Sequence, residues 1–338
     1  MTADESALEL DLSEPTPETV AALATLDGDV LVLGVGGKMG PSLARLAVRS
    51  LTAAGQRVRV IGVARFSAPG LREALERDGI TTVAADLLDR EQVASLPRTS
   101  NVVFMAGQKF GTTTDAAGTW AMNAYVPELV AERYHDSRLV AFSTGNVYPL
   151  WPAASDGPAE TDPVGPVGEY AQSALARERL LEFFSRRFGS PMVILRLNYA
   201  IEPRYGVLRD LADQVRAGQP IDLTMGWVNA IWQRDANAVA LRALAHAATP
   251  PLLLNLTGPK VSVRWIAERF GARWGIAPRF AGAEEETALL SNPARCRALF
   301  GEPAVGIAAM IDRVAEWIER GGRSLGKPTH FHERHGAF

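Results

Sequence analysis

DVLVLGVGGKMGPSLARL, Asp29 to Leu46, is the stretch whose reading decides the fold. A short apolar run, Val30 to Leu33, breaks into glycines at Gly34, Gly36, Gly37 and Gly40, and apolar residues return at helical spacing through Leu43, Leu46 and Ala47. The pattern reads as a buried strand, a tight turn and a helix. Gly34, Gly37 and Gly40 stand at the spacing G-x-x-G-x-x-G. In that arrangement one glycine turns the chain, one lets a pyrophosphate approach the backbone, and one lets the helix pack close to the strand. Lys38 and Met39 complete the loop, and Pro41 suits the first helical turn, where its missing N–H costs nothing. The helix then aims its unpaired N–H groups at the phosphates.

Working outward, the apolar run Val58 to Val63 is a second strand ending near Arg65. A doubly wound fold brings the tip of this strand to the adenosine ribose. An acid there would grip a 2'-hydroxyl, whereas a guanidinium suits a 2'-phosphate, so Arg65 points to NADP, with NAD as the alternative. A third strand, Thr81 to Ala85, ends in Asp86-Leu87, which this layout sets against the adenine. NVVFMA, Asn101 to Ala106, is apolar throughout, as in a parallel strand covered on both faces. Gly107 follows it. A helix over Thr119 to Tyr134 carries Asn123, and Arg138 to Phe142 is a fifth strand leading to Ser143 and Thr144. Strands alternating with helices in this way predict an α/β fold, a doubly wound parallel sheet with helices on both faces. Two later runs, Pro191 to Leu197 and Pro251 to Leu256, read as further strands.

The predicted organisation is an N-terminal arm and short helix over 1–27, a dinucleotide-binding domain over 28–200, and a smaller substrate lobe over 201–338. That lobe returns to the main sheet near 251–256. Thr16 and Pro17 open the short helix, and residues 1 to 15 read as a loosely held arm.

Composition narrows the function. With 338 residues, 47% hydrophobic and 22% charged, the chain has enough apolar material for a large core. A net charge of -3 argues against nucleic acid and against a membrane surface. No apolar run reaches the roughly 18 residues a membrane span needs. The N-terminus is acidic, unlike a basic leader, and the reading is cytoplasmic. The single cysteine, Cys296, reads as a buried structural residue. His330, His332 and His335 lie on a terminal segment and read as solvated, so no metal site is expected.

Taken together these motifs resemble the extended short-chain dehydrogenase/reductase superfamily, in its epimerase/dehydratase-like branch. The resemblance runs from about Val30 beyond Gly258. It rests on the glycine loop, Asp86-Leu87, FMAG at Phe104 to Gly107, Asn123, FSTGNVYP at Phe142 to Pro149, EYAQSALARERL at Glu169 to Leu180, and VILRLNYA at Val193 to Ala200. The resemblance implies a nicotinamide cofactor held by Gly34, Gly36, Gly37, Lys38, Met39, Gly40, Arg65, Asp86, Leu87, Ala106, Gly107, Asn123 and Asn198. It maps the hydroxyl that polarises the reacting oxygen onto Thr144 and the proton-transfer tyrosine onto Tyr170.

One departure stands out. The family's tyrosine is followed four residues later by a lysine that lowers its pKa, and here that position is Ala174. Arg177, two turns after Tyr170, and Lys109, on the loop after the fourth strand, are the cations available to replace it; Tyr148 and Tyr199 are alternative acids. Gly145 and Asn146 stand where the family's sugar-nucleotide dehydratases carry an acidic pair, which favours reduction, oxidation or epimerisation over elimination. Ser143, Asn146, Tyr199, Arg204, Trp227 and Trp232 are the substrate candidates. The expected function is an NAD(P)-dependent oxidoreductase or epimerase acting on a polar, sugar-like or hydroxy-carbonyl small molecule, working as a homodimer. The competing expectation is a cofactor-binding regulator with little turnover.

Overall fold

The computed structural model describes residues 3–337. Seven strands form one parallel sheet: β1 (Val30–Leu33), β2 (Val60–Ala64), β3 (Thr81–Ala84), β4 (Asn101–Phe104), β5 (Arg138–Thr144), β6 (Met192–Leu197) and β7 (Leu252–Leu256). Their order is β3-β2-β1-β4-β5-β6-β7. The period of two along β1 explains the layers. Val30 and Val32 face Leu43, Leu46 and Ala47 of the helix Gly40–Ala53 and Leu241 of the helix Gln233–Ala243, in one continuous cluster. Leu31 and Leu33 face the opposite way, into a cluster with Val126, Val130 and Leu181. All four strand residues are fully buried, each burial being worth about 1.5–3 kcal/mol, which is why the run tolerates no polar residue.

The chain winds outward from β1 through β2 and β3, then crosses back to place β4 on the other side of β1. Leu33 pairs with Val63 on one side and with Phe104 on the other. Beyond that point the connections diverge and leave a crevice at the carboxyl ends of the strands, the position where open α/β sheets hold ligands.

A second apolar cluster lies outside the sheet, built by the helices Val207–Arg216, Val263–Trp274 and Ile307–Glu319. The N-terminal segment joins it and is not a loose arm. Asp4 caps a helix, Glu5–Leu12, and Leu8 and Leu12 are buried in the cluster. Met1 and Thr2 lie outside the described residues. What holds this helix is far away in sequence: Glu9 pairs with Arg45 at 2.7 Å and with Arg204 at 2.7 Å. The C-terminal segment runs back over the same lobe. Leu325 N donates to Arg204 O, and the Arg334 guanidinium donates to the carbonyls of Thr224 and Thr287. Among the described residues no helix is long and apolar enough to cross a membrane.

Candidate active site

The crevice holds two connected chambers, of about 260 and 310 Å³, which share Gly34, Gly37, Met105 and Gly107 as a common floor. Gly34 turns with φ +91°, and a Cβ there would lie 2.7 Å from Ala106 N. Only glycine allows β1 and the end of β4 to come this close. Arg65, Asp86, Leu87, Ala106 and Gly36 line the first chamber. Asp86 spends one carboxylate oxygen on Leu88 N, at 3.0 Å. A groove of two chambers joined over glycines, with the Arg65 guanidinium in the wall of the first, fits an extended dinucleotide.

The second chamber collects the reacting groups. Thr144, at the end of β5, and Tyr170, in the first turn of the helix Gly168–Phe188, both line it. Thr144 Oγ1 also accepts from Asn146 N at 3.2 Å and from Asn146 Nδ2 at 2.9 Å. Burial pushes the Tyr170 phenol up, while Thr144 and the charge of Arg177 pull it down.

Ala174 is buried against Val147 and Tyr148 and contributes nothing polar. A guanidinium, that of Arg177, stands one turn further along. Arg177 Nη1 donates to Phe142 O at 2.6 Å, Nη2 to Asn123 Oδ1 at 2.8 Å, and Nε to Asn123 O at 3.3 Å. These three bonds fix the guanidinium in the wall of the chamber. Lys109 approaches from the other side: its ammonium lies 6.0 Å from the centre of the Tyr170 ring and donates to Thr329 O at 3.4 Å. Burial brings Lys109 down to about 8. The charge of Arg177 lowers the Tyr170 phenol.

Below the chamber, Ser143 Oγ donates to Glu178 Oε1 at 2.6 Å, and Glu178 pairs with Arg196 at 2.7 Å. Both charged side chains are almost fully buried. Arg196 also donates to the Tyr148 hydroxyl at 2.6 Å, and that hydroxyl bonds Asn255 Oδ1 at 2.9 Å. Tyr148 is therefore bound into the network under β5 and is no part of the chamber wall, which removes it as an alternative acid. Tyr199 does line the chamber, in a left-handed backbone conformation with φ +41°. Its neighbour Asn198 lines it as well and donates to Ser291 Oγ at 3.3 Å.

Four expectations change. Arg204 is not available to a substrate: Glu202, Glu5 and Glu9 surround its guanidinium. Trp232 is fully buried in the second lobe's core, with Arg313 5.1 Å above its ring. Trp227 packs beside Met225, Leu289 and Leu290 with the Lys260 ammonium 5.0 Å from its ring centre, outside the chamber. Asn123 is fully buried in a π-helical turn, Ala121–Tyr125, where its side chain exchanges bonds with Gln108 N and O and receives Arg177. It holds the loop after β4 and the guanidinium, and it lines neither chamber.

Three groups were not expected at the reacting end. Tyr205 and Thr329 line the chamber, and Lys38 turns its side chain towards them instead of staying with the phosphate loop. Lys38 Nζ donates to Ala200 O at 2.8 Å and sits 3.9 Å from the centre of the Tyr205 ring. A charged residue inside the glycine loop was visible in sequence. Thr329 carried no local signal at all.

The fold is that of a Rossmann-type α/β protein, with its chambers at the carboxyl ends of the strands. A family model described as the NAD dependent epimerase/dehydratase family matches residues 30–252, and the chain belongs to that family. No curated protein matches its sequence. Among solved structures, UDP-glucuronic acid 4-epimerase from Bacillus cereus, in complex with UDP-glucuronic acid and NAD, is similar with a TM-score of 0.71 at 18% identity, covering 86% of this chain and 99% of that one. UDP-glucose 4-epimerase from Thermotoga maritima gives 0.70 at 18% identity, over 87% and 99%. DesIV, a dTDP-glucose 4,6-dehydratase from Streptomyces venezuelae with NAD bound, gives 0.71 at 18% identity, over 86% and 97%. At these identities the likeness carries the fold.

Proposed function

We propose that this chain is an NAD(P)-dependent oxidoreductase or epimerase acting on a polar hydroxy-carbonyl or sugar-like small molecule, with NADP preferred. The observation that carries the reading is the meeting of Thr144 and Tyr170 in one chamber, which opens over the glycine floor and has Arg177 in its wall. When bound, the nicotinamide supplies hydride transfer. Thr144 polarises the substrate oxygen, with Asn146 orienting the threonine from behind. Tyr170 exchanges the proton with that same oxygen, and Arg177 stabilises the phenolate left when the proton goes. Arg177 thus takes the part that the absent lysine at position 174 plays in relatives. Gly34, Gly36, Gly37, Met39 and Gly40 form the phosphate turn, and Asp86 and Leu87 border the adenine.

The NADP preference rests on Arg65 in the wall of the first chamber. A charge-assisted bond of this kind is worth about 1.5–3 kcal/mol. Arg65→Ala is therefore expected to weaken NADPH binding roughly tenfold to a hundredfold and to leave NADH binding unchanged, as read by nucleotide fluorescence. An equal loss for both nucleotides would end the preference. The reading as a whole is tested by nucleotide binding followed by turnover on hydroxy-acid, keto-acid and sugar panels. Tight binding without turnover on all of them would favour a regulator.

A homodimer is part of the proposal. Phe183 and Phe188 on the helix Gly168–Phe188, and Trp120 and Tyr125 beside it, are exposed aromatics, and burying such a face is what association would gain. Sedimentation over a wide concentration range is expected to give a dimer; a constant monomer would refute it.

A further inference from the structure

Part of the second chamber's wall comes from a segment that belongs neither to the sheet nor to the glycine loop. Residues 329–336 run past the chamber and are pinned at four points. Thr329 lines the chamber, and Asp210 Oδ2 accepts from its N at 2.8 Å and from its Oγ1 at 2.6 Å. Phe331 is buried in the apolar cluster of the second lobe. The Arg334 guanidinium donates to Thr224 O at 2.8 Å, to Thr287 O at 3.0 Å and to Thr287 Oγ1 at 2.7 Å, and it pairs with Glu285 at 2.9 Å. Gly336, with φ +77°, lies backbone to backbone against Val167 and Gly168: a Cβ at Gly336 would collide with Val167 O, and one at Gly168 with Gly336 O. Gly168 opens the helix that carries Tyr170, so the segment closes directly onto the reacting end.

The same segment limits the space left for a substrate at a second place. Asn146, which holds Thr144, lines the chamber and also a gap of about 30 Å³ that is bounded by Glu333, Arg334 and Gly336. A gap of that size takes about one water molecule. A group attached to the substrate therefore has no passage between Asn146 and the segment. The chamber itself, at about 310 Å³, stands at the small end of the roughly 300–1,000 Å³ that ligand pockets span, and the nicotinamide end of the cofactor takes part of it. We infer that residues 329–336 set an upper limit on substrate size: the substrate is one compact hydroxy-carbonyl unit, a short free sugar or hydroxy acid, with no nucleotide and no second sugar attached.

This assignment rests on the oxidoreductase reading and narrows the substrate class for it. The double variant Arg334→Ala/Gly336→Ala releases the outer end of the segment, while Thr329 and Phe331 keep the inner end. Neither substituted residue lines the chamber, so NADPH affinity is expected to stay close to wild type. The two single variants, each removing one pin, carry the test should the double variant fail to fold.

Fluorescence of NADPH bound to the full chain is quenched with two neutral molecules that share one quenching group, acrylamide and the bulky N-tris(hydroxymethyl)methylacrylamide. In the wild type the bulky quencher is expected to be held back relative to its action on free NADPH. In the double variant its quenching constant is expected to rise by roughly threefold or more, with little change for acrylamide, because access through a narrow wall is limited by size. Arg334→Ala and Gly336→Ala singly are expected to move it in the same direction. UDP-glucose, titrated by calorimetry into the NADP-loaded wild type, is expected to bind no more tightly than about 1 mM. A ratio of the two quenching constants that is the same in wild type and in every folded variant would overturn the wall. Micromolar binding of UDP-glucose by the wild type would overturn the size class. Failure to bind NADPH at all is a separate result, and it would take down the oxidoreductase reading together with this one.

Discussion

Tyr170→Phe is expected to lower kcat by about a hundredfold to ten-thousandfold, the usual contribution of a positioned acid or base, while NADPH binding and the melting temperature stay close to wild type. The hydroxyl is the only atom group removed, and Thr144, in the same chamber, keeps both bonds to Asn146. Single-turnover absorbance of the nicotinamide measures the chemical step directly. A variant that turned over at the wild-type rate would remove Tyr170 from the mechanism and leave Tyr199 as the acid in the chamber wall.

Arg177→Met is the second large effect, and its direction in pH is specific. A nearby cation lowers a phenol by about 1–3 units, so removing it raises the Tyr170 titration by that amount. Turnover near neutral pH then falls about tenfold to a thousandfold and recovers as the pH is raised. The titration is read without any substrate, as the difference in tyrosinate absorbance between the protein and its Tyr170→Phe counterpart. Arg177→Lys is expected to recover part of the shift. The change also leaves Phe142 O without its 2.6 Å donor, so a lower melting temperature accompanies it. Should the phenol titrate unchanged in Arg177→Met and move in Lys109→Met, the cation would be Lys109.

The parts of the fold that are legible in the sequence are those specified locally. β1 is bounded on both sides by residues that cannot extend it, and its continuous apolar run can belong only to a strand covered on two faces. The turn after it follows from glycines whose missing side chains leave room for Ala106. Thr144 and Tyr170 are legible because each sits at a fixed distance from a recognisable strand end or helix start.

Charged and aromatic side chains in the second lobe are another matter. Arg204 has the chemistry to hold a substrate acid, but Glu5 and Glu9, nearly two hundred positions earlier, already occupy it. Nothing near residue 204 announces them. Trp232 is as apolar as a stacking platform and as apolar as a core residue, and only the packing of Val207, Leu211 and Phe270 around it decides. Asn123 follows the family pattern in sequence, and a wider π-helical turn swings it inward onto Gln108. The helix Glu5–Leu12 looks like an arm because its apolar residues, Leu8 and Leu12, are few, and the groups that hold it are again remote.

Thr329, held by Asp210 and receiving Lys109, has an outcome for how the molecule is made. Translation delivers the glycine turn at residue 34 early and this threonine almost three hundred residues later. A nascent chain released from the ribosome exit as far as β7 already contains every strand of the sheet and the floor of the nucleotide crevice. It still lacks the carbonyl against which Lys109 rests. The sheet and its glycine turn are thus encoded ahead of the residue that completes the chamber wall, in time as well as in sequence, and a chain stalled before residue 329 would present the first without the second.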